Sequence, residues 1–318
     1  MDFIEDFKNS IFTINEHNFL ESSLAAFDFQ YHNNHIYQLY CDSLNKKPNT
    51  VKQIEEIPFL PIEFFKNHAV KSTRKSPDKI FKSSGTTGQI RSQHHIADLE
   101  FYHTICKHFF ESIFGKLANY RIVALLPSYL EQGDSSLISM VDSFMQHSED
   151  GSGYYLNKEI RESVFADQKT ILIGVSYALL DFQEMDLDHN AIVIETGGMK
   201  GRRKEITRME LHQELGNRLH NSEIWSEYGM TELQSQAYGR NGAFQFPRWA
   251  HALVREINDP FTYLVEGRTG GINVIDLANI ESCCFIETKD LGKMQNNKTF
   301  QVLGRFDNSD VRGCNLLI

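Results

Sequence analysis

Ser83, Ser84, Gly85, Thr86, Thr87 and Gly88 stand consecutively, after the β-like run Lys-Ile-Phe-Lys and shortly before Arg91. Their types suit an anion cradle. The two glycines let the backbone turn tightly and approach a ligand closely. The hydroxyls can donate to phosphate oxygens, and successive backbone N–H groups can form an anion-binding nest. No Gly-Lys-Ser or Gly-Lys-Thr follows, so the loop is not of the Walker type. A Ser/Gly surface loop would look the same in isolation; the strand-like approach and Arg91 favour phosphate. A second segment, Glu227-Tyr228-Gly229-Met230-Thr231-Glu232, sets an aromatic ring beside a glycine, where it can lie against a flat base. The hydroxyl of Thr231 and the carboxylate of Glu232 are suited to phosphate and to Mg²⁺. The competing reading is a turn in which Thr231 caps a helix.

Other reactive side chains are scattered. His94 and His95 follow the first loop without metal-ligand spacing, so solvated or structural roles are expected. Lys200-Gly201-Arg202-Arg203-Lys204 reads as a solvated helix entry, with a docking patch for an acidic carrier protein or phosphopantetheine as the alternative. The five cysteines, Cys41, Cys106, Cys283, Cys284 and Cys314, form no Cys-x-x-Cys pair, which suggests neither a disulfide framework nor a structural zinc site. A reducing cytoplasm is the expected location. Cys283 and Cys284 lie in an apolar β-like run and are expected in the core.

The elements that must hold these residues alternate. KIFKSSGTTGQIRSQHHI reads as strand, glycine loop, strand, and a helix is expected from about Ala97 to Phe114. RIVALLP, TILIGVSY and AIVIETGG are apolar β-rich runs separated by helical stretches, and EIWSEYGMTEL runs from a short strand into a loop. Such alternation predicts βαβ units and a parallel sheet, whose ligands bind at the carboxyl ends of the strands. From Ala252 the tail is β-rich: ALVREI, YLVEG, GGINVIDL, CCFIETKD and FQVLGR. The expected organisation is a helical N-terminal region over 1–75, an α/β core over 76–250 that binds nucleotide and acyl group, and a β-rich subdomain over 251–318. With 318 residues the chain is too long for one small domain, and 41% hydrophobic with 23% charged residues is ordinary for a globular protein. A net charge of -10 argues against a general nucleic-acid binder. The acidic N-terminus is not a signal peptide, and no run is long and apolar enough to span a bilayer.

The two loops together resemble the adenylate-forming superfamily of acyl-CoA synthetases, luciferases and peptide-synthetase adenylation domains. Three more segments follow in matching order. Glu195-Thr196-Gly197-Gly198 resembles the stretch that lines adenine, Thr288-Lys289-Asp290 the Thr-Gly-Asp whose acid binds the ribose, and Gly304-Arg305-Phe306-Asp307 the Gly-Arg-x-Asp hinge. IPFLPIEFFK, ETGGMKGR, SEYGMTELQSQAY and Arg312-Gly313-Cys314 narrow the resemblance to the acyl-protein synthetases of bacterial luminescence (LuxE-like), with phenylacetate-CoA ligases next. The implied fold is the large α/β N-terminal domain of an adenylate-forming enzyme, with parallel sheets flanked by helices and a β-rich subdomain. Two departures stand out. Arg91 occupies the place of the usual lysine, keeping the charge but changing its geometry. The small mobile C-terminal domain, which supplies a catalytic lysine in the superfamily, is expected to be absent.

The resemblance implies an ATP- and Mg²⁺-dependent ligase that activates a carboxylic acid, a fatty acid in the luminescence family, as its acyl-adenylate and passes the acyl group to a thiol. Ser83, Ser84, Gly85, Thr86, Thr87, Gly88 and Arg91 would hold the leaving phosphates. Thr231 would touch the α-phosphate and Glu232 would bind Mg²⁺. Tyr228 and Gly229, with Gly197 and Gly198, would enclose adenine, and Asp290 and Arg305 would hold the ribose. Pro127, Ser128 and Tyr129 after one strand, and Ser176 and Tyr177 after another, would line an acyl pocket or serve only as core and turn residues. Cys314 would accept the acyl group, or be an inert terminal residue. An acyl-carrier or acyl-accepting protein is the implied partner. The alternatives are a CoA ligase and a non-catalytic nucleotide-binding subunit of an acyl-transfer complex.

Overall fold

A computed structural model describes residues 2–84, 90–127, 133–155, 160, 163–166, 168–187, 191–197, 206–220, 222–296 and 298–306. The chain divides into two units, Met1–Arg74 with Arg248–Ile318, and Lys75–Pro247. In chain order, unit 1 begins with α1 (Phe3–Ser10), α2 (Phe19–Asn33), α3 (His35–Ser43), β1 (Leu60–Pro61) and α4 (Phe64–Asn67). Unit 2 follows with β2 (Lys79–Lys82), β3 (Gln93–Ile96), α5 (Leu99–Phe114), β4 (Arg121–Leu125), α6 (Ser136–Met145), β5 (Gly153–Tyr154), α7 (Ser163–Ala166), β6 (Thr170–Val175), α8 (Ser176–Asp181), β7 (Met185–Asp186), β8 (Ala191–Thr196), α9 (Arg208–Arg218), β9 (Leu219–His220), β10 (Glu223–Tyr228), β11 (Ala237–Arg240) and β12 (Ala243–Gln245). Unit 1 resumes with β13 (Ala250–Arg255), β14 (Gly270–Asp276), β15 (Phe285–Met294) and β16 (Phe300–Arg305).

Unit 2 is built on a sheet ordered β12-β11-β10-β8-β6-β4-β5. Strands β10, β8, β6, β4 and β5 run parallel. Residues of β6 are buried along its whole length and those of β4 and β8 nearly so, as parallel strands covered on both faces must be. Helix α5 starts where the Asp98 carboxylate accepts the Phe101 N–H at 2.9 Å, and it stops at Gly115, whose φ of 91° ends the helical path. Its buried stripe is Tyr102, Ile105, Cys106, Phe109, Phe110 and Phe114. Aromatic residues are mediocre helix formers by a few tenths of a kcal/mol. Burial of each contributes about 1.5–3 kcal/mol, so packing decides the helix. Beside this sheet, β2 and β3 form a separate antiparallel hairpin with Phe81 opposite His94.

In unit 1, β13, β14, β15 and β16 form an antiparallel meander, and β1 adds to β15 in parallel with Leu60 opposite Ile286. The helical N-terminus belongs to this unit because Gln30 fastens α2 to it. The Gln30 amide donates to the carbonyls of Asn279, Ile280 and Ser282 and accepts the Cys284 N–H at 2.9 Å. Asn34 and Ser72 donate to the same Ser282 carbonyl, and Lys8 lies 3.6 Å from Glu281 with both side chains buried. One expected strand differs: YLVEG is turn and bridge. Asp259 accepts the Phe261 N–H at 3.0 Å and the Thr262 hydroxyl at 2.7 Å, which bends the chain so that Tyr263 makes an isolated bridge to Arg255.

Candidate functional site

The parallel register brings the strand ends level. Leu125 stands beside Gly174, Val175 beside Thr196, and Thr196 beside Glu227. The residues that follow, half-buried Pro127, Ser176 and Tyr177, Gly197, and Tyr228 with Gly229, therefore share the carboxyl edge of the unit 2 sheet. Strand order also reverses here: β4 has β5 on one side and β6 on the other. Such a switch point opens a crevice between chain crossings.

Two exposed glycines flank a buried pair of side chains at this edge. Gly197 has φ 74°, a conformation that only glycine adopts without strain. A Cβ on Gly229 would collide with Glu227 Oε1. Beneath them the Thr196 hydroxyl donates to Glu227 Oε2. Tyr228 is buried, its ring tilted 5.8 Å from Phe244 and edge-on to Phe246 at 6.2 Å.

Two carboxyl groups at the edge are shifted in opposite directions. Burial alone would raise the Glu195 carboxyl, but the His212 hydrogen bond, the Arg208 charge and the hydroxyls of Ser226 and Ser176 hold it below the usual range. Glu227 is pushed up to about 7, by burial first and by the Glu195 charge, against the Thr196 hydrogen bond and the more remote Arg208. The Ser176 hydroxyl is thereby committed to Glu195 at 3.0 Å and to the Gly197 carbonyl at 3.3 Å. Arg208 begins α9 behind a Thr207–Glu210 capping box and lies over the Phe244 ring at 4.8 Å.

Loop and hairpin meet through His94. It is fully buried in β3, and its Nδ1–H donates to the Thr231 carbonyl at 2.8 Å. This settles His94 as a structural residue, one of the two roles expected of it. Glu232, 4% exposed, follows directly. A buried carboxylate at this place fits Mg²⁺, which keeps waters and takes its other ligands from substrate phosphates. Among the described residues no group of three or more His, Cys, Asp or Glu could hold a metal ion by itself.

Arg91 closes the base of the β2–β3 hairpin. Its guanidinium donates to the carbonyls of Ser83 and Lys82 and pairs with Asp134 at 3.1 Å, while the Ser83 hydroxyl accepts the Ser92 N–H at 3.0 Å. Asp134 had no distinguishing signal in the sequence. Ser84 is exposed at the start of the loop. Gly85, Thr86, Thr87, Gly88, Ser128, Tyr129, Gly198 and Cys314 lie outside the described residues, as do Asp307 and the basic run from Lys200 to Lys204.

In unit 1, Asp290 and Arg305 are register partners on β15 and β16, with Nε 3.7 Å from Oδ1. The Asp290 N–H is held by the Thr288 hydroxyl, itself bonded to the Ile272 carbonyl. Cys283 and Cys284 are fully buried, and burial pushes the Cys283 thiol up to about 12. A cleft of about 560 Å³ in unit 1, lined by Leu24, Phe27, Tyr31 and Lys47, contains none of the expected site residues.

The fold is that of the large N-terminal domain of adenylate-forming enzymes. An open conformation of 2-hydroxyisobutyryl-CoA ligase in complex with 2-HIB-AMP and CoA matches with a TM-score of 0.62 at 12% identity, over 92% of this chain and 70% of that one. ATP-bound MatB from Rhodopseudomonas palustris matches with a TM-score of 0.52 at 16% identity, over 73% of this chain and 49% of that one. O-succinylbenzoate CoA synthetase (MenE) from Bacillus subtilis, in complex with ATP and a magnesium ion, matches with a TM-score of 0.51 at 16% identity, over 71% and 49%. The chain thus spans about half the length of MatB and MenE. No protein-family model and no curated protein sequence matches it. Among the described residues no helix is long and apolar enough to cross a membrane.

Proposed function

We propose that this chain activates a carboxylic acid with ATP as an acyl-adenylate and passes the acyl group to a thiol. The observation that carries the reading is the carboxyl edge of unit 2. There Gly197, Tyr228 and Gly229 lie level, and His94 ties the serine- and threonine-rich hairpin to Thr231. In the first step a carboxylate oxygen attacks the α-phosphorus in line. The new O–P bond forms as the bond to the β-phosphate bridge breaks, and pyrophosphate leaves with the electron pair. Such a reaction asks for positioning and charge neutralisation. Ser83, Ser84 and the loop residues Gly85, Thr86, Thr87 and Gly88 cradle the leaving phosphates, with Arg91 holding the loop base. Thr231 orients the α-phosphate. Glu232 holds Mg²⁺, which neutralises phosphate charge. Tyr228, Gly197 and Gly198 take the adenine, and Asp290 with Arg305 keeps the ribose role that the resemblance implies. Pro127, Ser128, Tyr129, Ser176 and Tyr177 border the acid. In the second step a thiolate attacks the acyl carbon, a C–S bond forms, and AMP leaves.

The finer terms of the resemblance are a fatty acid as substrate and Cys314 as the first acceptor. The reading is tested by carboxylate-dependent ATP–pyrophosphate exchange across acids of several classes; absence of exchange with every acid refutes it. Cys314→Ser is expected to keep exchange and lose a hydroxylamine-sensitive thioester label, and a label that persists refutes Cys314. A diffusible CoA acceptor is the second reading, favoured by the CoA ligase and CoA synthetase of like fold. Mass analysis separates acyl-protein from acyl-CoA.

A further inference from the structure

On the α5 side of the unit 2 sheet, below Gly229, lies a buried polar cluster. Glu227 is 6% exposed and stands opposite Tyr238 across β10 and β11. Tyr238 packs on Phe109, Phe110 and Phe114 of α5. The site a Cβ would take on Gly229 is filled by Glu227 Oε1 and has Gln236 Cγ 3.5 Å away, so the two side chains meet there. Gln236 donates Nε2 to the Gln234 carbonyl at 3.3 Å, which Cys106 Sγ approaches to 3.8 Å. Among the described residues, Gln236 Oε1 and the Tyr238 hydroxyl, in side chains 6% and 2% exposed, have no hydrogen-bond partner. Each such buried orphan costs about 1–3 kcal/mol, a cost that a bound hydrogen-bond donor at this place would offset.

The charges around the cluster say which kind. Glu227 is bonded by Thr196 on β8, feels the charges of Glu195 on β8 and Arg208 on α9, and acts in turn on Tyr238 of β11 and Tyr102 of α5. Among the described residues the cation that acts on both acids is Arg208, and it is paired with Glu195. Among the described residues Glu227 has no ion-pair partner of its own, and its neighbours Gln236 Oε1 and the Tyr238 oxygen can accept hydrogen bonds. An ammonium group supplies the charge and three donors. A hydroxyl brings one donor and no charge. A hydrocarbon chain would leave every one of these groups dry and unmatched.

We propose that the activated acid carries an ammonium group held by Glu227, Gln236 and Tyr238, which makes the substrate an amino-substituted carboxylic acid. The inference rests on the adenylation reading above and replaces the fatty acid of the resemblance. The test is ATP–pyrophosphate exchange by the full chain with amino acids, their deamino and α-hydroxy analogues, and saturated fatty acids. At least one amino acid is expected to support exchange, and its deamino analogue to show a KM higher by about ten-fold or more, the worth of a charged hydrogen bond. Glu227→Gln is expected to raise KM for the amino acid by a similar factor and to affect the deamino analogue several-fold less. Tyr238→Phe, which only deletes an orphan hydroxyl, is expected to show the same selectivity to a smaller degree and does not threaten folding. Exchange with fatty acids but not amino acids overturns the proposal, as does a hydroxy analogue equal to the amino acid. So does a Glu227→Gln loss that is alike for all acids. Silence from every class refutes the adenylation reading itself, a result distinct from fatty-acid preference.

Discussion

Glu227 and Glu195 are one position apart in register and opposite in the direction of their proton affinity, and that contrast is testable without any ligand. The folded Glu227 carboxyl sits at about 7, above the roughly 4.3 of an unfolded glutamate. A raised value means that folding takes up a proton. Its contribution to stability is full below about pH 4 and is lost as pH rises through 7. Glu227→Gln is neutral at every pH, so its stability relative to the native chain should climb between about pH 4 and 7 and level off beyond. The gain is on the order of 3 kcal/mol. Urea titrations at fixed pH steps measure it, and a difference that is flat with pH rules out the buried proton. Glu195 does not blur the window, because its lowered carboxyl releases stability only on acidification. Catalytically, Glu232→Gln should reduce Mg²⁺-dependent exchange by about a hundred-fold or more while AMP affinity stays near wild type. Exchange and calorimetry check this together; native turnover by the variant removes Glu232 from the metal. Hydroxyl, glycine and aromatic spacing drew attention to the segments around Ser83 and Tyr228. The partners Asp134 and Arg208 were not legible, because an acid or a base becomes a partner only through a fold that brings distant residues within hydrogen-bond reach. Glu227 stands in the second of these segments, but nothing local reveals that it is buried.

At the scale of elements, side chains that cross between strands carry more than their number suggests. Arg255, 2% exposed on β13, donates to Asn273 on β14 and Glu287 on β15 and to the carbonyls of Glu256 and Ile257. Burial raises the Glu287 carboxyl and the Arg255 charge lowers it. Arg255→Met should cost about 3–5 kcal/mol, since it strands Glu287, and Arg255→Met with Glu287→Gln should recover a good part of that. Denaturant unfolding of both variants decides it; equal losses would mean that packing, not charge, holds the strands. In the same way His94→Ala should cost about 2–3 kcal/mol and speed amide exchange at Leu233, where the turn closes on Met230. An unchanged exchange rate would show that the hairpin does not brace that turn. The parallel strands were readable because RIVAL, TILIGV and AIVIET are continuous apolar runs, the mark of strands covered on both faces. YLVEG has strand composition, but Asp259 wins locally by hydrogen-bonding the backbone into a turn. The hairpin of β11 and β12 went unread although Asn241-Gly242, with φ 52° and 79°, is the two-residue turn that such a hairpin uses.

For the whole molecule, the consequence of chain order is that unit 2 is one continuous piece and unit 1 is two pieces. Residues Lys75–Pro247 lie between the halves of unit 1. Helices near the start were predictable from periodicity, but their docking was not, since the bonds of Gln30 reach partners 249 to 254 residues away. Those bonds locate a weak point. Gln30→Leu would leave the Cys284 N–H and the carbonyls of Asn279 and Ile280 buried without this partner, while Ser282 keeps Asn34 and Ser72. Leucine has about the right volume, so the loss is one of hydrogen bonding, on the order of 2–4 kcal/mol. It should fall on unit 1. Hydrogen exchange read by mass spectrometry is expected to show faster exchange in peptides from 1–74 and 248–318 and unchanged rates across 75–247. A fragment spanning 75–247 should, in keeping with this, melt cooperatively when expressed alone, because its parallel sheet, α5 and the β2–β3 hairpin are contained within it. If Gln30→Leu instead accelerates exchange evenly along the chain, and the fragment shows no cooperative transition, the two units unfold as one and the division has no energetic meaning.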